Sequence, residues 1–387
     1  MKVLLLTEFF PNPAKPLFTG GVEARTFMIA QHLAQEMEVE VVCRRTKQLR
    51  RRIKKGGLTI YPCGPAARRT TASFFSIFGR LVFILASLRQ GLRLDFDLVE
   101  GSNFISYLPA FFLGKIKKKP TVAWTADVLG LQWLTHFNLT GLFGYLLERA
   151  GLSRNWNGLI AMSGQTKKKL VKRGIREARV RVVYGGVGYQ TLNQLKVKKF
   201  EKRTIICISR LVNYKRVEDL IQAFTKLQVE EDDLRLIIIG SGPEEKGLRK
   251  LVQKNNLRAK VSFLVDLERK RVLETLKRSY ILCSASVVEG FGLVAIEAAA
   301  CGVPYVISDL AVHREITKGG QGGLLFKRKD VNDLKAKITE LLKSKKLYRQ
   351  KKQAGLLLAK EYDWSLISKK TRKIYQQVVN NFPGWLN

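Results

Sequence analysis

Acidic side chains are what this 387-residue sequence has too few of. Asp and Glu number 32 against 69 Lys and Arg, a formal net charge of +37. A surface so poor in acid attracts anions (nucleic acid, acidic lipid or a phosphorylated substrate) or is a solvated basic shell with no dedicated partner. The surplus is gathered in runs: RRTKQLRRRIKK (44–55), KIKKK (115–119) and KKKLVKR (167–173). No nucleic-acid-binding module is present, and these runs are not interleaved with aromatics that would stack on bases. Nucleic acid is therefore not an expected partner.

Cysteine is also scarce. Cys43, Cys63, Cys207, Cys283 and Cys301 sit in or beside apolar runs, with no CxxC and no metal-ligand spacing. That excludes a cysteine metal site and points to reduced, buried thiols in a cytoplasmic protein. Long apolar runs are missing as well. The stretch ASFFSIFGRLVFILASLRQGLR (72–93) is broken by Arg80, short of the ~20 apolar residues a span needs. It reads as a core helix, or as one lying in a membrane interface with Arg80, Arg89 and Arg93 toward headgroups. The opening MKVLLLTEFF is broken by Glu8 and reads as a first strand rather than a secretory signal. The three histidines, His32, His136 and His313, are scattered. His32 falls in a helical pattern, His136 lies near Asp127 in sequence, and His313 follows the strand-like VPYVIS, at a cleft edge.

What is present is an alternation. Strand-like KVLLL (2–6), VEVVC (39–43), LTIYP (58–62), DLVEG (97–101), TVAWT (121–125), GLIAM (158–162) and RVVY (181–184) are separated by helical patterns. One of these spans 164–172, with Ser163 as its N-cap and Gly174 as its stop. The pattern restarts with TIICISRL (204–211), RLIIIGSG (235–242), VSFLV (261–265), YILCSAS (280–286), VPYVIS (303–308) and GLLF (323–326), and is helical after 330. Near-continuous apolar strands alternating with helices predict an α/β chain of two doubly wound, Rossmann-like domains with parallel sheets. We expect the domains over 1–190 and 204–360, with the polar, lysine-rich 191–203 as linker. Ligands then belong beyond the carboxyl ends of the strands.

Three loops fall at such ends. In EGFGLVAIE (289–297), Gly290, Phe291 and Gly292 enter a helix whose free N–H groups and dipole suit a phosphate. Glu289 precedes that helix and Glu297 lies within it. The acids either serve a ligand, such as a ribose diol, or offset the helix dipole. In SRLVNYK (209–215), Arg210 and Lys215 can neutralise a diphosphate leaving group, or are ordinary surface cations. Gly20 and Gly21 open a helix after a proline-containing loop.

Together these residues resemble glycosyltransferase family 4, retaining nucleotide-sugar transferases with the two-domain GT-B fold. GGVE (20–23), SRLVNYK (209–215), GSGP (240–243) and EGFGLVAIE followed by ACGVP carry the similarity over nearly the whole chain. The resemblance implies two domains facing across a cleft, with a C-terminal helix (361–382) crossing back to the first. It places Glu289 beside the donor sugar, Glu297 on the ribose, and Arg210 and Lys215 on the diphosphate. Donor contacts are further implied at Gly20, Gly21, Gly240, Gly290, Phe291, Gly292 and Leu293, with Asp127 on the acceptor side of the chemistry. The implied donor is a UDP- or GDP-sugar, and the acceptor a glycan or a lipid-linked molecule. The positive charge fits work at the cytosolic face of a membrane whose anionic surface is a further partner. Neither a cofactor nor a metal is implied. Two departures stand out. Ala126 takes the place of a histidine common in relatives, and YGGVG (184–188) replaces their PNGVD. They allow an alternative, a catalytically degenerate member that binds nucleotide sugar or a partner without transfer.

Overall fold

A computed structural model describes residues 1–384 except 15, 17, 19 and 67–73; for 74–76 and 135–140 it describes the backbone only. The chain divides into two compact units, Met1–Gly185 with Trp364–Asn387, and Gly186–Asp363.

The first unit is built on an eight-stranded sheet. Its strands are β1 (Lys2–Thr7), β2 (Glu38–Arg44), β3 (Ile53–Lys55), β4 (Leu58–Cys63), β5 (Leu98–Gly101), β6 (Thr121–Thr125), β7 (Gly158–Ala161) and β8 (Val180–Val182), in the order β3-β4-β2-β1-β5-β6-β7-β8. All neighbours are parallel except β3, which runs antiparallel to β4. Sequence reading missed β3 because its Ile-Lys-Lys lies in a basic run; it is an edge strand with two exposed lysines, which blunts that edge.

Helix α1 (Gly21–Leu33) links β1 to β2. Helices α2 (Phe74–Leu92), α3 (Phe104–Lys117) and α4 (Gln132–Leu152) lead into β5, β6 and β7, and α5 (Gly164–Lys172) into β8. Ser163 caps α5 by accepting the Thr166 N–H at 3.0 Å, and Gly174 beyond it takes φ +84°. Strand order advances one way through β1 and β2 and the other way through β5, β6 and β7. Right-handed crossovers therefore put α1 on one face and α2, α3 and α4 on the other. Of the predicted segment 72–93, residues 74–92 form α2, Arg93 is in the turn that follows, and 72 and 73 lie outside the described residues. Arg80, expected toward headgroups, instead turns inward: its Nε donates to the buried Glu8 at 2.8 Å. A buried carboxylate needs such a partner.

The second unit holds β9 (Thr204–Ile208), β10 (Arg235–Ile239), β11 (Val261–Leu264), β12 (Ile281–Ser284), β13 (Tyr305–Ser308) and β14 (Gly323–Phe326), all parallel, in the order β11-β10-β9-β12-β13-β14. It also contains α6 (Tyr189–Gln194), α7 (Val217–Leu227), α8 (Glu245–Lys254), α9 (Arg269–Arg278), α10 (Leu293–Ala300), α11 (Ala311–Ile316), α12 (Val331–Lys343) and α13 (Lys345–Lys360). In α7, Val217, Leu220, Ile221, Phe224 and Leu227 recur at helical spacing and are buried against the sheet. Each such side chain contributes about 1.5–3 kcal/mol relative to exposure.

The expected linker, 191–203, is corrected by its contacts, which place it inside the second unit. Lys277 Nζ donates to the Leu192 carbonyl and, at 2.8 Å, to that of Asn193, at the end of α6. Lys199 Nζ donates to Ser279 O at 2.6 Å, and the Arg278 guanidinium lies 4.2 Å from the Phe200 ring centre. Among the lysines that made this segment look solvated, Lys199 bonds a carbonyl and Lys202 Nζ lies 3.0 Å from Asp233 Oδ1. The chain rejoins the first unit as α14 (Trp364–Asn380), which packs on α1.

Candidate active site

In the second unit the strand order reverses between β9 and β12. Loops leaving these two strands diverge there and leave a crevice at the carboxyl edge. Arg210 and Lys215 follow β9, and Glu289, Gly290, Phe291 and Gly292 follow β12, so the topology brings the two sequence motifs together. Val287 N–H donates to Tyr214 O at 2.9 Å and ties one loop to the other. Arg210 is exposed, and its Nη2 donates to the Tyr214 hydroxyl at 2.5 Å. Gly240, in the loop after β10, has φ +140°, and a Cβ there would lie 1.9 Å from Ser209 O. Its role visible in the protein is to let two loop backbones touch.

Lys215 Nζ is ion-paired with Glu289 Oε1. Burial works against the Glu289 charge, but Lys215, His313 and the hydrogen bonds from Lys215 and Ser286 outweigh it. Its carboxyl is held below the usual range. Gly292 caps α10 in the left-handed conformation, φ +85°, with no side-chain cap. Leu293 begins the helix, so the loop delivers its backbone N–H groups toward the carboxyl edge of the sheet. The Phe291 ring is buried and meets Tyr362 edge-on at 6.1 Å.

Glu297 lies one turn into α10, is 3% exposed, and is ion-paired with Arg269 of α9. Sequence reasoning missed Arg269, which begins an Arg-Lys-Arg run indistinguishable from the basic surface. Near one another on the second unit, then, are Arg210, Lys215 and Arg269 against two carboxylates, with an uncapped helix start: a site with an excess of positive charge, suited to a diphosphate.

His313 was placed by sequence only at a cleft edge. It is buried on α11, and its Nδ1 lies 2.7 Å from Ser308 O. A carbonyl can only accept, so Nδ1 carries the proton and Nε2 is the free acceptor of the neutral ring. A Cβ at Gly292 would lie 2.8 Å from that Nε2. Burial pushes the imidazole pKa down, only partly offset by Glu289. The ring therefore stays neutral and packs under the glycine turn.

In the first unit, Gly20 caps α1 in extended conformation, without a side-chain cap, and a Cβ on Gly20 or Gly21 would meet nothing within 4 Å. The protein's own packing does not demand glycine at either position. Asp127 follows β6. Its Oδ1 accepts from Lys169 Nζ at 2.6 Å and from Val128 N–H at 2.8 Å, and burial raises its pKa despite Lys169. Ala126 presents no side-chain donor; its carbonyl accepts from Thr166 Oγ1 at 3.1 Å. Among the described residues no group of three or more His, Cys, Asp or Glu could hold a metal ion.

The chain matches two family models, Glycosyltransferase Family 4 over residues 19–190 and Glycosyl transferases group 1 over residues 190–356. It is 25% identical over 396 aligned residues to the phosphatidylinositol N-acetylglucosaminyltransferase gpi3 subunit of Schizosaccharomyces pombe, covering 96% of this chain and 79% of that protein. Among solved structures, sucrose-phosphate synthase from Thermosynechococcus elongatus matches at TM-score 0.82 and 19% identity, covering 98% of this chain and 99% of the other. Anabaena HepE in complex with UDP-glucose matches at TM-score 0.74 and 18% identity, covering 97% of this chain and 100% of the other.

Proposed function

This chain belongs to the family 4 glycosyltransferases and is a glycosyltransferase of two Rossmann-like domains, and we propose that it moves a hexose from a nucleoside diphosphate sugar to a glycan or lipid-linked acceptor with retention of anomeric configuration. The observation that carries this reading is the convergence of Lys215 and Glu289 from the two loops that flank the strand-order reversal. There Arg210, Lys215 and the N–H groups of Phe291, Gly292 and Leu293 face the diphosphate. As the sugar leaves, negative charge grows on the β-phosphate, and these groups stabilise it. The leaving phosphate helps deprotonate the acceptor on the same face of the sugar, so no protein nucleophile is needed. Glu297, oriented by Arg269, accepts from the ribose hydroxyls. Glu289 hands Lys215 to the phosphate and takes hydroxyls of the sugar in exchange.

A UDP-sugar is the favoured donor over a GDP-sugar, supported by the UDP-glucose bound in the Anabaena protein. A lipid-linked acceptor at an anionic membrane surface, on the cytosolic face, is supported by the name of the fission yeast relative and by the net charge of +37.

The test is a thermal-shift series with UDP-, GDP- and ADP-sugars, since a ligand bound only to the folded state raises its stability. It is followed by assignment of the product anomer by NMR. A shift with UDP-sugars and an anomer matching the donor are expected; an inverted product would refute retention. A second reading follows from Ala126 and the Asp127–Lys169 pair: a member that binds donor without transferring it. Donor binding with neither transfer nor hydrolysis across acceptor classes would select it.

A further inference from the structure

We propose that the outer face of α2, α3 and α4 is the surface by which the protein docks on an anionic lipid bilayer. The inference deepens the membrane part of the functional reading and rests on it. The three helices lie on one side of the first sheet, with α3 packed between α2 and α4. Each turns large apolar side chains outward at helical spacing. Phe78 and Leu85 of α2 are 65% and 68% exposed, Phe112 and Ile116 of α3 are 41% and 58%, and Leu142 and Leu146 of α4 are 46% and 53%. Large exposed apolar side chains gathered on three packed helices mark an interaction site. Exposed apolar side chains in the second unit, such as Val229 and Leu357, stand on separate elements.

Charge selects the occupant. The three helices contain one acidic residue, Glu148, which is buried and accepts from Arg173 Nη1 at 3.0 Å and Gly130 N–H at 2.9 Å. Exposed cations continue the apolar stripes: Arg89 four residues after Leu85, Lys115 three after Phe112, and Arg149 three after Leu146. All three sit in the last turn of their helix. The helices enter successive parallel strands and so run the same way, which lines the cations along one rim. An apolar band with a cationic rim matches the acyl and headgroup layers of an acidic leaflet. A second copy of the chain is disfavoured, because a net charge of +37 resists self-association. Among the described residues no helix is long and apolar enough to cross a membrane, so contact is at the interface.

The test is flotation of the full chain with vesicles of phosphatidylcholine alone or mixed with phosphatidylglycerol. The natural protein should float with the mixed vesicles, and less so as salt is raised. The double variant Leu85→Glu/Leu146→Glu should lose on the order of tenfold or more in partitioning. Arg89→Ser and Arg149→Ser should each lose about fivefold toward phosphatidylglycerol. Leu357→Glu, in the second unit, should bind as the natural protein does. An unchanged nucleotide thermal shift in each variant certifies its fold. Binding by the natural protein that Leu85→Glu/Leu146→Glu leaves intact would overturn the assignment of this face while sparing the membrane reading. Absence of vesicle binding would remove both. A dimer in light scattering that the double variant dissociates would give the face to a second copy and overturn the proposal.

Discussion

The two units answer one structural question in opposite ways. In each, a cation from the segment after the first strand of the fold meets an acid at or after the strand across the strand-order reversal. In the first unit these are Arg25 of α1 and Glu100 of β5; in the second they are Lys215 and Glu289. Arg25 and Glu100 are 2% and 0% exposed. Their bidentate contact, at 2.5 and 3.3 Å, is closed over by the Tyr375 hydroxyl of α14 at 2.5 Å, by Ser102 Oγ at 2.7 Å, and by Trp124, whose ring centre lies 4.5 Å from the guanidinium. Lys215 and Glu289 are 14% and 16% exposed: Ser286 bonds the acid and the Tyr214 ring centre lies 5.7 Å from the ammonium, yet solvent still reaches both. A sealed pair with every lone pair satisfied has no partner to exchange. A pair at the surface of a crevice can trade its partner for a phosphate or a hydroxyl. The same charge pattern is thus structural in one unit and available for chemistry in the other, and the last helix of the chain makes the difference.

The strongest way to break this comparison is to remove a member of each pair. Arg25→Ala strands the Glu100 charge in a closed interior and should cost about 3–5 kcal/mol in urea unfolding. Lys215→Ala should leave the unfolding midpoint within a few degrees, yet lower turnover by roughly 10²–10³, the scale of losing one transition-state donor. If Lys215→Ala unfolds the protein as Arg25→Ala does, both pairs are structural and the distinction fails.

A smaller effect sharpens the second unit alone. Gly292→Ala places a side chain at φ +85° and against His313 Nε2, and should cost about 1–3 kcal/mol by thermal unfolding. Adding His313→Ala should restore the steric part and leave the backbone part. Full recovery would show that the left-handed turn is unstrained.

The smallest effect is a pH dependence. Burial lowers the His313 pKa from its usual 6.5, so the unfolded chain binds that proton more readily. Stability from this group is complete above about pH 6.5 and falls as pH drops through the folded-state value. Glu289, held below its usual 4.5, adds a second loss in the same direction at lower pH. His313→Gln should flatten the upper part of the melting-temperature profile; an unchanged profile would mean that folding does not shift the His313 pKa.

Much of the fold was legible because parallel strands buried on both faces write themselves as apolar runs: KVLLL became Lys2–Thr7 and GLLF became Gly323–Phe326. Lysine-rich segments were not legible. Ile53–Lys55 and 191–203 were read as basic surface and linker, since the exposed lysines of an edge strand and a lysine bonded to a carbonyl, such as Lys199, both look in sequence like a lysine in water. The same ambiguity hid Arg269. Glu289 and Glu297 were read as serving a ligand or offsetting the helix dipole, yet both hold cations, Lys215 and Arg269, supplied from a loop and a helix well separated from them in sequence.

By itself, the sequence determined the two-domain α/β plan, the glycine turn before α10 and the types of residue able to meet a diphosphate, because backbone conformation and apolar periodicity are local properties. Tertiary structure alone decided which charges pair, which pair is sealed, and that the apolar sides of α2, α3 and α4 share one exposed face. Those outcomes depend on the solvent exposure of groups distant along the chain, and solvent exposure sets what a charge costs and what it can still bind.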